Sequence, residues 1–173
     1  KIHFHDEAGH NSHLTIDSEN FLSGTNMALF PIQSNEIPQA VEFWTNDGAT
    51  VSIEIYEQFD GNEPVNLLYQ SGEIDLFYAG YHQIKISPTL EIPELSEIAV
   101  VLNVANNSKF FPITLDHHGP LSPDKTWYRD AHGIWQSLPS LESQNFEGTI
   151  RLRSLIIPEG LNQKIYLPII ATQ

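Results

Sequence analysis

A two-residue alternation of apolar and polar side chains constrains the fold more than any other feature of this sequence. It is clearest in AVEFWTNDGATVSIEIYEQFDG, residues 40–61, where Val41 and Phe43 alternate with Glu42 and Trp44. Successive side chains of a strand point to opposite faces, so the pattern predicts strands that each bury one face. The turn-forming residues at 46–48, Asn-Asp-Gly, predict that the strands before and after them pair as a hairpin.

The rest of the chain also favours strands. No segment sustains apolar residues at i, i+3, i+4 and i+7 for three turns, and eleven prolines and ten glycines are spread along the sequence. The segment 117–130 predicts a long surface loop, a common location for binding residues. We therefore expect an all-β fold of packed antiparallel sheets, a sandwich or a barrel. Further strands are predicted at residues 65–72, 81–87, 96–104, 110–116, 133–138 and 148–157.

The charge balance limits the class of partner. Eight Lys and Arg residues against 22 Asp and Glu residues give a formal net charge of −14. Such a chain has no basic patch that replaces the counterions of a phosphate backbone, and its charge opposes anionic membranes. No apolar run approaches the roughly 20 residues that span a bilayer. We expect no nucleic-acid binding and no membrane insertion, whereas calcium or a neutral polymer suits this charge.

The sequence gives little support to catalysis. It contains no cysteine, which removes disulfides, thiolate metal sites and cysteine nucleophiles. It has no G-x-S-x-G elbow, and nothing singles out a carboxylate pair of the glycosidase type. The chain begins with Lys and ends in KIYLPIIATQ, a kind of segment that ends many secreted bacterial proteins. We expect a non-enzyme, secreted or at the cell surface, that is a piece of a longer precursor.

Four of the eight histidines lie in the opening stretch, residues 3–13. The segment DEAGH is close to the HExxH signature of zinc peptidases, but Asp6 occupies the first histidine position and Gly9 disfavours the required helix. In an extended chain His3 and His5 point to the same side and can chelate a divalent ion. The alternative is a solvated N-terminal arm. The candidate metal ligands are His3, His5 and Asp6, with Glu7, His82, His117 and His118 as other sources of a third ligand.

Two acidic turns contain the residue types of calcium loops. They are Asn-Asp-Gly at 46–48 and Asp-Gly-Asn-Glu at 60–63, and neither continues into the spacing of an EF-hand. Tight turns require the same residues for backbone reasons, and this is the better explanation. A calcium site that takes ligands from distant strands stays open, because sequence spacing does not reveal such a site.

Four aromatic residues are candidates for ligand binding. Trp44 is expected on the polar face of its strand, Tyr81 follows Ala79-Gly80, and Trp127 and Trp135 flank a turn near the end of the long loop. Exposed Trp and Tyr rings stack on the apolar face of a sugar, which suits a carbohydrate-binding surface. The alternative for each tryptophan is packing in the core or between sheets.

Several segments together resemble the lectin-like β-sandwich domain found beside papain-like cysteine peptidase domains in bacteria and archaea, and in related cell-surface proteins. The most distinctive piece is Trp-Tyr-Arg-Asp, a turn, and Gly-Ile-Trp at 127–135. The resemblance implies a jelly-roll-like sandwich that acts as a non-catalytic module, binds glycans or cell-surface material and is attached to other domains. The alternative is a structural spacer without ligand. The matching segments are NMALF (26–30), 40–61, YAGYHQIKIS (78–87), SEIAVVLNV (96–104), KTWYRDAHGIWQSL (125–138) and EGTIRLRSLI (147–156).

The predicted organisation follows from these matches. Residues 1–25 are expected to form an N-terminal arm or edge strand, residues 26–157 the β-sandwich domain, and residues 158–173 an extra strand or a tether.

Overall fold

A computed structural model of the chain describes residues 1–6, 9–10, 12–14, 22–90, 92, 96–110, 112–117, 122–138 and 146–158. These residues contain fourteen β-strands and no α-helix. The strands are β1 (Ile2–His3), β2 (Ser12–Leu14), β3 (Ser23–Ile32), β4 (Glu36–Thr45), β5 (Ala49–Phe59), β6 (Pro64–Gln70), β7 (Ile74–Leu76), β8 (Gly80–Lys85), β9 (Ser96–Asn106), β10 (Ile113–Asp116), β11 (Thr126–Arg129), β12 (Trp135–Ser137), β13 (Glu147–Gly148) and β14 (Arg151–Ile156).

The strands form three antiparallel sheets. The largest has seven strands in the order β12-β11-β3-β9-β5-β6, with β7 also paired to β5. A four-stranded sheet has the order β1-β14-β4-β8, and a three-stranded sheet has the order β13-β10-β2. The expected all-β, antiparallel sandwich is confirmed.

The main core lies between the seven-stranded and the four-stranded sheet. Alternate residues of each strand point into it, as the sequence pattern predicts. Phe30 of β3 and Ile53 of β5 come from one sheet, and Phe43 of β4 and Leu152 of β14 come from the other; all are fully buried. The two-residue alternation therefore reports the sandwich core correctly.

The predicted hairpin at residues 46–48 is wrong. β4 pairs with β8 and β14, whereas β5 pairs with β6, β7 and β9, so the turn crosses from one sheet to the other. The carboxylate of Asp47 accepts hydrogen bonds from the backbone N–H groups of Gly48, Ser108 and Lys109, at 2.7–2.9 Å. Alternation shows which face of a strand is buried, but it does not show which other strands pair with it through hydrogen bonds.

Part of the predicted loop at 117–130 is a strand. Residues Thr126–Tyr128 of β11 pair with Asn26–Ala28 of β3, which places the β11–β12 hairpin at one edge of the seven-stranded sheet. Residues 118–121 of that segment lie outside the described residues, as does Phe111 of the predicted strand 110–116. The other predicted strands correspond to β6, β8, β9, β10, β12 and β14.

The N-terminus forms an edge strand. β1 pairs with β14 through Ile2 and His3, and the terminal ammonium of Lys1 donates a hydrogen bond of 2.9 Å to the carbonyl oxygen of Ser154. Residues 159–173, including the predicted extra strand or tether, lie outside the described residues. Within the described ranges, no helix is long and apolar enough to cross a membrane.

Candidate functional site

The outer face of the seven-stranded sheet has an apolar half. Met27 and Leu29 of β3 lie beside Ala99 and Val101 of β9, and the ring of Trp135 covers them. These residues form a second, smaller core with Trp127, Tyr56 and Phe59 packed against it. Side chains of the β11–β12 hairpin, at the edge of the same sheet, therefore shield this half of the face from water.

The same face curves toward the hairpin. Phe59 of β5 and Trp127 of β11 have ring centroids 4.9 Å apart, although their strands are three positions apart, about 14 Å in a flat sheet. Glu63, in the turn after β5, accepts hydrogen bonds from Trp135 Nε1 at 3.1 Å and from Arg129 at 3.2 Å. These contacts join the hairpin to the far end of β5 and make the outer face concave.

The other half of this face is polar and open. Thr25 of β3, Asn103 of β9 and Ser52 of β5 lie side by side in one cross-strand row. The Thr25 hydroxyl donates to Asn103 Oδ1 at 2.8 Å, and Asn103 Nδ2 donates to the Ser52 hydroxyl at 3.2 Å. The row forms the floor of a groove of about 490 Å³ that Glu73, Arg129 and Asp130 also line. We call it the outer groove.

The rim of the outer groove carries both signs of charge. The backbone N–H groups of Ile134 and His132 donate to Asp130 Oδ1, both at 2.9 Å, and hold the pKa of that carboxyl below its usual value. Arg129 Nε donates to the carbonyl oxygen of Gly133 at 2.9 Å. These bonds fix the β11–β12 turn, so the groove has a preformed rim.

The floor retains hydrogen-bonding capacity. The Ser52 hydroxyl proton and the second amide proton of Asn103 are available as donors, and hydroxyl and carbonyl oxygens keep lone pairs beyond the bonds within the row. All three residues of the row are only partly buried. A ligand rich in hydroxyl groups can therefore both donate to and accept from this row.

A second aromatic surface lies on the outer face of the four-stranded sheet. Trp44 of β4 and Tyr81 of β8 are cross-strand neighbours with ring centroids 4.8 Å apart. The Arg151 guanidinium lies 4.6 Å from the Trp44 ring centroid and 5.4 Å from that of Phe4. Asp6 holds this guanidinium through contacts of 2.5–3.1 Å. Residues of the chain itself therefore occupy a large part of the Trp44 surface.

The structure divides the four predicted aromatic residues into two pairs on different sheets. Trp44 and Tyr81 lie on the four-stranded sheet, and Tyr81 is 47% exposed. Trp127 and Trp135 lie on the seven-stranded sheet, next to the outer groove. Trp135 is only 6% exposed, because it packs on the apolar half of the sheet, and Trp127 is partly exposed. Any single binding surface therefore contains at most one of these pairs.

The predicted metal ligands each have a different protein partner. His3 Nε2 lies 2.5 Å from a carboxylate oxygen of Glu36, and His5 Nε2 lies 2.8 Å from the carbonyl oxygen of Leu29. Burial lowers the pKa of His5. Asp6 is paired with Arg151, as described above. The arrangement of these three side chains therefore does not by itself indicate a shared ion.

Nor do the other proposed third ligands complete such a site. Across the described ranges, no three His, Cys, Asp or Glu side chains are grouped as a metal centre requires. Glu7 and His118 lie outside those ranges. Metal binding by His3, His5 and Asp6 stays a prediction.

Turn chemistry explains the two acidic turns. Asp60 Oδ1 accepts the backbone N–H groups of Glu63 and Asn62, both at 2.8 Å, and Asp47 accepts backbone donors from Gly48 of its own turn and from Ser108 and Lys109 of the loop after β9. These donors hold the pKa values of Asp47 and Asp60 below their usual range. The backbone role that the sequence favoured is confirmed.

Sequence reasoning missed the floor of the outer groove. The available signal is a change within β9, where outward positions 99 and 101 are Ala and Val but position 103 is Asn. A polar residue that follows apolar residues on the same face of a strand marks the point where a covered face becomes open. Reading it requires knowing that β3 and β5 flank β9, because Thr25 and Ser52 are far from Asn103 in sequence.

Comparison of the sequence and the fold with known proteins identifies a family. A family profile described as "Lectin like domain" matches residues 2–125, and no curated protein sequence matches the chain. The fold is similar to a crystal structure of the cysteine protease and lectin-like domains of Cwp84, a surface layer associated protein of Clostridium difficile. The TM-score is 0.64 at 13% identity, over 79% of this chain and 32% of that one.

A second solved structure is also similar. It is the clostridial cysteine protease Cwp84 after propeptide cleavage, with a TM-score of 0.71 at 13% identity, over 91% of this chain and 40% of that one. The chain thus spans about a third to two-fifths of these structures. At this identity the likeness concerns the fold alone, whereas the profile covers most of the chain. The chain belongs to the lectin-like domain family.

Proposed function

We propose that this chain is a non-catalytic accessory domain of a larger secreted or cell-surface protein, and that it binds a neutral glycan in the outer groove. The observation that carries the proposal is the open polar row of Thr25, Asn103 and Ser52 on an otherwise covered sheet face. A spacer would require this face only to be solvated, so the two roles differ in whether the isolated chain binds a glycan.

The chemistry of the groove favours a sugar over an ion or an apolar ligand. Hydroxyl and amide groups of the row match the mixed donors and acceptors of a pyranose. The groove volume of about 490 Å³ falls within the range of small-molecule sites, about 300–1,000 Å³. One guanidinium, of Arg129, and two carboxylates, of Glu73 and Asp130, line the groove, and the net charge is −14. A neutral ligand is not repelled by the negative net charge, and it brings no charge of its own that the groove would leave unpaired.

The family supports an accessory role. The lectin-like domain of Cwp84 stands beside a cysteine protease domain in a surface layer associated protein. This chain has no cysteine, so any such chemistry would belong to an attached domain. The corresponding role for this chain is attachment to a catalytic or anchoring domain. Glycan binding by the chain would then hold that domain at the cell surface.

A glycan array and a pull-down with insoluble polysaccharides test the proposal. We expect binding that Asn103→Ala weakens by about tenfold, because one hydrogen-bonding side chain is worth about 1 kcal/mol or somewhat more. The matched control is Asn35→Ala, in the turn at the opposite end of β3 from Thr25. This variant should bind as the unmodified chain does.

Parallel assays with calcium and with EDTA separate an ion-dependent site from the outer groove. Loss of binding in EDTA would favour a site built from acidic loops. Equal loss in Asn103→Ala and Asn35→Ala would place the ligand elsewhere. Absence of binding to any polysaccharide would overturn the proposal in favour of a structural spacer.

A further inference from the structure

Two histidines outside the predicted metal set are in direct contact. His10 lies just before β2 and His13 lies within it, and their Nε2 atoms are 2.7 Å apart. Their ring centroids are 4.4 Å apart, and the ring planes are inclined by 74°. The two nitrogens therefore converge on one point, and at this distance one of them must present a lone pair to the other.

The separation is close to the one that a shared metal ion requires. Imidazole nitrogens bind Zn²⁺ at about 2.0–2.1 Å, so two of them on one ion lie about 2.9–3.4 Å apart for ligand angles between 90° and tetrahedral. The observed 2.7 Å differs from that range by a few tenths of an ångström. Small side-chain rotations are sufficient to replace the bridging proton by an ion.

The surroundings allow such an ion to bind. The pair borders a second groove, which Asn46, Gly80 and Phe110 also line, and the groove is open to solvent. Water can therefore complete the coordination shell.

One nearby charge opposes the ion. The Lys109 ammonium lies close enough to His13 to lower the pKa of that ring, and it donates a hydrogen bond of 2.9 Å to the carbonyl oxygen of Asn46. The overall charge of −14 acts in the opposite direction. Two neutral nitrogen ligands suit ions of the zinc, nickel and copper class better than the oxygen-seeking calcium ion.

We propose that His10 and His13 form a solvent-open binding site for a divalent transition-metal ion. The site supplies two protein ligands and leaves the other positions to water or to an exchangeable ligand in the adjoining groove. It is a different set of residues from His3, His5 and Asp6. Its groove shares no lining residue with the outer groove, so the proposal does not depend on glycan binding.

Titration of the metal-free chain with zinc chloride tests the site, by calorimetry and by NMR of the imidazole nitrogens. We expect one zinc ion per chain and joint shifts of the His10 and His13 nitrogen signals. His10→Gln and His13→Gln should each weaken binding by at least about tenfold, because each removes one of two protein ligands. The matched control His132→Gln, in the exposed β11–β12 turn, should retain full affinity.

Three results would overturn the proposal. They are absence of zinc binding, unchanged affinity in both His10→Gln and His13→Gln, and NMR shifts confined to other histidines. Circular dichroism checks that each variant is folded. If a variant does not fold, the NMR titration of the unmodified chain still decides, because it reports the ligating nitrogens directly.

Discussion

Replacing Asp6 by Asn tests whether an ion pair fastens the N-terminal segment to the sandwich. Asp6 is fully buried, and it binds Arg151 of β14 through Nε at 2.9 Å and Nη2 at 2.5 Å. Asn preserves the shape of the side chain but removes its charge. The guanidinium would then lie between Trp44 and Phe4 without its hydrogen-bonded counter-charge, and only the longer-range charge of Glu42 would remain.

The expected loss is about 2–3 kcal/mol. Breaking a buried ion pair by removing one partner destabilises by about 3–5 kcal/mol. The Arg151 side chain is 22% exposed, so water offsets part of this loss, and its contact with the Trp44 ring persists. With a urea m-value of about 2 kcal/mol per molar, the midpoint should fall by about 1–1.5 M.

Urea denaturation of Asp6→Asn, Arg151→Met and the double variant gives a mutant cycle. We expect a coupling energy of about 1.5–2 kcal/mol, because residues in direct contact are not additive. The control is Asp75→Asn, an exposed carboxylate that accepts a hydrogen bond from Thr50, with an expected change below about 0.5 kcal/mol.

Two outcomes would refute the reasoning. One is a change below about 0.5 kcal/mol in Asp6→Asn, together with additive effects in the cycle. The other is an EDTA-dependent loss of stability in the unmodified chain that is absent from Asp6→Asn. That result would mean that Asp6 binds a metal ion, as the sequence pattern suggested, and not the guanidinium.

Three further predictions concern packing and charge. Trp135→Ala should destabilise by about 3–5 kcal/mol in urea; a loss below about 1 kcal/mol would contradict its packing role. Burial would raise the pKa of Glu42, but hydrogen bonds from Tyr81, Arg153 and Gln83 outweigh it and lower the pKa below 4.5. The stability advantage over Glu42→Gln should therefore be complete above pH 4.5 and disappear as the pH falls through the folded-state pKa; urea midpoints at several pH values measure it. Gly9→Ala should lower the urea midpoint by about 0.5–1 M, because Gly9 has a φ of +75° and an added Cβ would lie 3.3 Å from the Trp44 ring; an unchanged midpoint would contradict that contact.

The strands could be predicted because their determinants are local. Val51, Ile53 and Ile55 point into the core in the alternation that the sequence displays. Asp60 likewise acts through backbone groups of its own turn, whereas Asp47 also accepts donors from a loop about 60 residues away, which its local sequence does not indicate. Pairing partners could not be predicted in this way, and the hairpin of β4 with β5 was the resulting error.

In the candidate site, too, the residue types could be predicted from the sequence but their neighbours could not. The sequence predicts the four aromatic residues as ligand-binding candidates from a property of the residue type, the stacking of a ring on a sugar. Whether each ring can contact a ligand depends on which residues cover it, and those contacts join residues far apart in sequence. Trp135 packs on Met27 and Val101, and Arg151 covers Trp44.

The sequence by itself determined that the chain forms β-strands with one buried face, and it limited the partners to those compatible with a net charge of −14. Both properties depend on residue type and on a period of two along the chain. The tertiary structure decided that Thr25, Ser52 and Asn103 form one row, and that His10, not His3 or His5, meets another histidine. For the row, the physical reason is that sheet register brings together residues far apart in sequence, 78 positions for Thr25 and Asn103, and a pattern with period two carries no information about which strands become neighbours. His10 and His13 are only three positions apart, but residue type alone does not fix which side chains meet.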